Sequence, residues 1–195
     1  MSRTASDQRP EELLDAIVDY IAEHGLFDLS LRPLAKQVGS SPRVLLYYFG
    51  SKEELIAKVF ARIRIQQQSW LEAAEESTLS EMCLGMWRRM IRPDVLSWFQ
   101  IFFEAYGQAL RRPREHKKFL RSVSEDWIHT LARSFERSGC TREVARTMST
   151  VILAGFRGFM LDYCATRDIK RIQKALAFWA RALDVQLESY LEKNR

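Results

Sequence analysis

Apolar positions along this chain recur at intervals of three and four and nowhere alternate in twos, so the pattern predicts helices throughout and no strands. Leu13, Leu14, Ile17, Val18 and Ile21 form the inward stripe of a first helix over about 10–24, which Gly25 stops. Two short helices follow, near 31–38 and 42–48. A long fourth helix runs from Ser51 to about Ala74, with Glu53 and Glu54 at the positive end of its dipole. Further helices are predicted near 78–91, 93–110, 115–138, 142–165 and 168–193, punctuated by Pro93, Pro113, Gly139-Cys140-Thr141 and Asp168. The expected fold class is all-α, with about nine helices. A three-helix headpiece spans 1–50 and a larger helical body spans 51–195, helix four (about 51–74) joining the two.

The last helix is apolar on two adjacent stripes. Ile169, Ile172, Leu176, Trp179, Leu183, Leu187 and Tyr190 form one, and Ala175, Phe178, Ala182 and Val185 the other, leaving Lys170, Lys174, Arg181, Asp184 and Glu188 toward solvent. One packing partner needs about half of that arc. Gly155 and Gly158 on the preceding helix permit close helix approach, so the two helices are expected to build a two-fold, four-helix homodimer interface. Burial of both stripes within a monomer is the alternative.

Residues 30–52 hold two short helices around a tight turn, the layout of a DNA-reading helix-turn-helix. Ala35 is small enough for a steep helix crossing, Gly39 accepts the conformation that ends the first helix, and Leu45 is an aliphatic knob in the second. Ser41 before Pro42 is an N-cap before a residue suited to the first helical position. The run from Gly25 through Ser30, Leu34-Ala35 and Val38-Gly39 to Tyr47-Tyr48-Phe49 and Ser51-Lys52-Glu53-Glu54-Leu55 resembles the DNA-binding domain of the tetracycline-repressor (TetR) family. The resemblance covers about residues 10–66. Two positions depart from the usual pattern: Ser40 stands where an apolar residue is common, and Leu46-Tyr47-Tyr48 replaces Tyr-x-His.

Charge adds to this reading once it is located. The chain carries a net +5. Residues 1–29 hold two basic and seven acidic side chains, whereas 30–64 hold seven basic and two acidic, so the positive charge sits on the helix-turn-helix and the start of helix four, where phosphates would lie. The expected DNA-binding residues are Ser30, Arg32, Ser40, Ser41, Arg43, Tyr47, Tyr48 and Lys52. Arg43 suits a guanine edge, the tyrosines a phosphate or thymine methyl, and Arg32 and Lys52 the backbone.

The body is rich in aromatic residues at helical spacing: Trp87, Trp98, Phe99, Phe102, Phe103, Tyr106, Trp127, Phe156, Phe159 and Tyr163, with Met160 among them. On packing grounds such a stripe is ordinarily core. The TetR resemblance implies an effector pocket in this region, and the hydroxyl and indole tips, with Arg157 and Asp162, require polar partners that a small apolar or aromatic ligand can supply. The expected ligand-binding residues are therefore Trp87, Phe99, Phe102, Phe103, Tyr106, Trp127, Phe156, Phe159, Met160 and Tyr163; those expected at the dimer interface are Gly155, Gly158, Ala175, Phe178, Trp179, Ala182 and Val185.

Other features read as structural. Residues 111–121 hold six Lys/Arg against one Glu and are expected to be a solvated turn. Cys83, Cys140 and Cys164 are widely spaced and read as reduced, mostly buried thiols. His24, His116 and His129 lack metal-ligand spacing, and no phosphate loop, serine elbow or nucleophile-base pair is present in the sequence, so neither metal, cofactor nor enzymatic activity is expected. No apolar run reaches membrane-spanning length and no leader pattern opens the chain, so a cytoplasmic location without membrane contact is expected. Together these readings describe a ligand-responsive regulator, by resemblance a repressor, that binds double-stranded operator DNA as a homodimer. A helical ligand carrier or enzyme with a vestigial headpiece, and a ligand-blind DNA binder, remain as alternatives.

Overall fold

Four helices of the computed structural model begin on a hydroxyl cap, at Ser41, Ser51, Thr78 and Thr141. The structure describes residues 10–26, 29–72 and 78–193, the side chains of 66–72 and 94 excepted. The elements are α1 (Pro10–His24), α2 (Leu31–Gln37), α3 (Pro42–Phe49), α4 (Lys52–Glu72), α5 (Leu79–Met90), α6 (Pro93–Arg111), α7 (Lys117–Arg121), a π-helical turn (Ser122–Asp126), α8 (Trp127–Arg137), α9 (Arg142–Thr166) and α10 (Ile169–Lys193). The fold is all-α. Because α7, the π turn and α8 run on without a break, the described residues form nine continuous helices and no strand.

One predicted element is corrected. A regular helix over 115–138 does not form; the helix starts at Lys117 and widens into a π turn at Ser122–Asp126. There the Ser122 hydroxyl donates to the Phe119 carbonyl at 2.9 Å, competing with the regular ladder in a way that apolar spacing does not report. The expected end of helix four at Ala74 lies outside the described residues.

The chain divides into two compact units. The first contains the described residues up to Ile65 together with Gln100–Val123. Its core is built from Leu13, Ile17 and Ile21 of α1, Leu34 and Ala35 of α2, Leu45 and Phe49 of α3, and Leu55, Val59 and Phe60 of α4. The α2–α3 turn is made by Gly39, at φ 66°, a conformation costly to residues with a Cβ. Ser41 then accepts from the Val44 amide at 3.3 Å and Pro42 opens α3, as the sequence predicts. At the start of α4 the caps are reciprocal: Ser51 Oγ accepts from the Glu54 amide at 3.1 Å, and Glu54 Oε2 accepts from the Ser51 amide at 3.2 Å.

The second unit contains Gln66–Phe99 and Ser124–Arg195, so far as these residues are described. Here α8 packs along α9, and α10 packs on α5 and α9. The first stripe of α10 is spent inward through Ile172, Leu176 and Leu183, with Ala180 buried beside them. Thr78 and Glu81 form a second reciprocal cap at α5, whose Ser80 amide also reaches the Asp184 carboxylate at 3.1 Å. Asp184, expected to face solvent, instead anchors α5 to α10, because an α5 N-terminus offers unpaired amides to it. The α9–α10 turn is closed by a bidentate pair from Arg171 to Asp162 at 2.8 and 2.9 Å.

Candidate functional site

The spacing of α3 divides it into two faces. Leu45 and Phe49, four residues apart, are buried, which turns Arg43, Leu46 and Tyr47 outward; Tyr47 is 81% exposed. An aromatic side chain left this open on a helix beside free cations has no packing role to explain it. Tyr48 is half-buried, edge-on to Tyr47 with ring centroids 5.1 Å apart. Arg32, Lys36 and Arg43 are exposed and Lys52 is half-buried, and these four make no ion pair among the described residues.

Two other basic residues of the head are occupied structurally. Arg62 forms a bidentate pair with Asp15 at 2.8 Å, tying α4 to α1. Lys58 donates to the Tyr48 carbonyl at 3.0 Å, closing the C-terminus of α3, and lies 5.3 Å from the centroid of the Phe49 ring. Of the expected DNA-contacting hydroxyls, Ser30 is exposed and Ser41 is engaged as the α3 cap. Ser40 is corrected: its Oγ is buried without a hydrogen-bond partner among the described residues, so it presents nothing to a ligand at the surface.

Residues 100–123 belong to the same compact unit as the helix-turn-helix, a placement that the sequence does not disclose. Phe119 is buried against Phe60 of α4 with ring centroids 5.3 Å apart, and Arg64 donates to the Ser122 carbonyl at 3.3 Å. Lys118 pairs with Glu54, and chiefly this hydrogen bond, helped by the Ser51 amide, holds the Glu54 carboxyl below its usual range. A groove of about 360 Å³ lies here, lined in part by Tyr48, Gly50, Glu54, Lys58 and Lys118.

The aromatic residues expected to hold a ligand fall into separate clusters. In the first unit Phe102 meets Phe60, Phe103 and Tyr106 at centroid distances of 5.9, 5.3 and 5.4 Å. In the second, Trp87 and Met160 are wholly buried, Trp87 lies edge-on to Tyr163 at 5.6 Å, and Phe99 and Trp127 are half-buried. The Trp87 indole N–H is buried with no acceptor among the described residues. Phe156 and Phe159 pack on Trp179 at 5.9 and 5.4 Å.

Trp179 also fills the space over Gly155. A Cβ there would lie 2.9 Å from ring atoms Cε2 and Cη2 and nearer still to Cζ2. The close approach expected of Gly155 between subunits therefore occurs within one chain, and Trp179 serves the protomer's own packing. Gly158, by contrast, faces open space. The second stripe of α10 is uncovered, with Phe178 73% and Val185 61% exposed and Ala175 and Ala182 beside them. On α9 the sequence reading missed Val151 and Leu161, also exposed; with Ala154 and Gly158 they repeat at intervals of three and four, a signal that was available.

Burial pushes the Cys83 thiol up to about 12, with the Asp184 charge adding to it, and raises Cys140 and Cys164. Among the described residues no group of His, Cys, Asp and Glu is arranged to hold a metal ion, and no helix is long and apolar enough to cross a membrane.

Comparison with known proteins agrees with this geometry. Residues 13–59, all within the first unit, match the family profile described as bacterial regulatory proteins, tetR family. The chain is 24% identical over 169 residues to the HTH-type transcriptional repressor AcnR of Corynebacterium glutamicum, spanning 83% of this chain and 87% of AcnR. Its fold is similar to the crystal structure of a TetR-family transcriptional regulator from Rhodococcus sp. (TM-score 0.67, 18% identity, 90% of this chain and 97% of that one). It is also similar to that of the multidrug binding protein EbrR complexed with imidazole (TM-score 0.60, 21% identity, 91% and 95%). The head built on α1 to α3 and the exposed face of α3 agree with the match of residues 13–59 to the tetR family profile, and together they mark a DNA-binding transcriptional regulator similar to members of that family.

Proposed function

We propose that this regulator acts in the cytoplasm as a homodimeric repressor that reads a palindromic operator with α3 and is released by a small apolar or aromatic effector. Residues 1–50 form the reading head and 51–195 the effector-binding and dimerising body. The observation that carries the reading is the exposure of Phe178 and Val185 on α10 and of Val151 and Leu161 on α9, large apolar side chains at helical spacing that a partner surface would cover. A second copy of the chain presents the same side chains, and a two-fold axis sets two α3 helices on two half-sites about 34 Å apart.

In this reading Arg43 and Tyr47 face base edges while Arg32, Lys52, Tyr48, Ser30 and the Ser41 end of α3 position the backbone. The effector site draws on Trp87, Trp127 and Tyr163, and the unpaired Trp87 N–H favours a ligand that carries a hydrogen-bond acceptor. EbrR was crystallised with imidazole, and that a relative in fold holds a small molecule supports a ligand-responsive body. Effector and operator then compete by selecting different dimer geometries. Sedimentation combined with gel shift on a duplex selected from a random pool tests the proposal: a dimer that binds a palindrome supports it, and a monomer with full operator affinity refutes it.

A ligand-blind repressor is favoured by one observation, the complete burial of Trp87 and Met160. Thermal-shift screening separates the two readings. An effector at a hundred times its dissociation constant stabilises the fold by about 2.7 kcal/mol.

A further inference from the structure

We propose that residues 111–121 form a second DNA-backbone contact of the regulator, apart from the helix-turn-helix. The inference rests on the duplex-binding role of the head and extends the surface through which that role is exercised. Arg111, Arg112, Arg114, Lys117, Lys118 and Arg121 are all exposed. Arg112 is paired with Glu115 at 3.6 Å and Lys118 with Glu54, but Arg111, Arg114, Lys117 and Arg121 have no acidic partner among the described residues. Four uncompensated cations within eleven residues repel one another, a cost that a turn of purely structural purpose has no reason to carry.

Their position supplies the reason. The segment is fixed to the head at three points: Phe119 buried on Phe60, Arg64 on the Ser122 carbonyl, and Lys118 on Glu54. Glu54 stands two residues beyond Lys52, a candidate phosphate contact, in the first turn of the helix that follows α3. The groove that Lys118 shares with Tyr48 and Lys58 leads from the C-terminal end of α3 to the basic segment. Burying Phe119 turns its neighbours outward, so that Lys117 and Arg121, one helical turn apart, share an exposed face with Arg114 before them. Positive charge on the compact unit that carries the reading helix, left unneutralised, is complementary to the phosphates of a duplex. It carries no base-reading chemistry of its own, and its contribution is to affinity, not to sequence choice.

The test needs no knowledge of the operator. Binding of the full-length protein to a 30-base-pair random-sequence duplex is measured across a salt series for the wild type, for the triple variant Arg114→Ala/Lys117→Ala/Arg121→Ala, and for Arg133→Ala/Arg137→Ala/Lys174→Ala. The last removes the same charge from exposed positions of the second unit. Circular dichroism establishes that each is folded. The expected result is a log–log salt slope shallower by about 0.9 for each phosphate no longer neutralised, seen in the first triple variant and not in the second. An unchanged slope in the first variant, with wild-type binding intact, overturns this inference and leaves the head's role standing. Equal changes in both variants reduce the effect to net charge and also overturn it. A wild type that binds no duplex overturns the role of the head and this inference together. If the first variant instead loses binding only to anionic phosphatidylserine vesicles, the patch belongs to a membrane surface and the proposal fails.

Discussion

Phe178 and Trp179 are neighbours on α10 with opposite fates, and replacing each with alanine separates assembly from folding. A phenylalanine side chain offers about 200 Å². With 73% of Phe178 exposed in the protomer, about 150 Å² is available for burial by a partner. At about 25 cal/mol per Å² that amounts to about 3.5 kcal/mol per copy and about 7 kcal/mol for the two copies of a dimer, as an upper bound. Alanine retains its Cβ and neighbouring side chains recover part of the area, so Phe178→Ala is expected to weaken dimerisation by about 4 kcal/mol, roughly a thousandfold. Thermal stability of the monomer should stay within about 0.5 kcal/mol, because the residue packs on little in its own chain. Trp179→Ala does the reverse. It vacates the space over Gly155 and removes the ring packing on Phe156 and Phe159, at about 3–5 kcal/mol of fold stability. Sedimentation equilibrium gives the first quantity and urea unfolding at concentrations below dissociation gives the second. A Phe178→Ala protein whose dimer constant equals that of the wild type would refute the assignment of the stripe.

Three further outcomes follow from particular interactions. Gly155→Ala sets a methyl against the Trp179 ring and should cost about 1–3 kcal/mol despite better helix propensity, lowering the melting temperature by several degrees; an unchanged or raised value would show that the ring yields freely. Arg43→Ala should lose about 1–3 kcal/mol at one operator position, while Lys52→Ala weakens all sequences alike and reduces the salt slope by about one, so equal effects from both refute the division of roles. Lys118 holds the Glu54 carboxyl below its ordinary 4.5, so the pair's contribution is present above that pH and lost as pH falls through the lowered folded value. Urea unfolding across pH 3 to 6 should show that loss partly removed in Glu54→Gln, and an identical acid limb in the variant would refute the linkage.

Local chemistry made much of the fold legible. Ser41-Pro42 and Ser51 with Glu54 fix helix starts through hydrogen bonds made within four residues, and those bonds are the ones observed. The two stripes of α10 were also readable, and Ile172, Leu176 and Leu183 point inward while Phe178 and Val185 do not. Where the reading missed, the cause is a partner far away in sequence. Asp184 looks solvated until the α5 N-terminus is beside it, and Gly155 looks like a free groove until Trp179 fills it. The Ser40 hydroxyl is a different case: it is buried without a hydrogen-bond partner among the described residues, which residue type alone does not indicate.

The basic segment shows how one tertiary fact changes the meaning of a composition. Six cations between two helices read as a solvated turn because most such runs are, and nothing local to residues 111–121 argues otherwise. Phe119 supplies a partner far away in sequence. Its burial on Phe60 fixes the segment to the helix that follows α3, so the cations belong to the same compact unit as the reading head. The Lys118–Glu54 pair also gives this anchoring a consequence for the head itself, because Glu54 caps the α4 helix on the Ser51 amide with the same carboxylate that receives Lys118. Losing Lys118 therefore removes one of the segment's three anchors and, in the same event, a charge that stabilises the capping carboxylate.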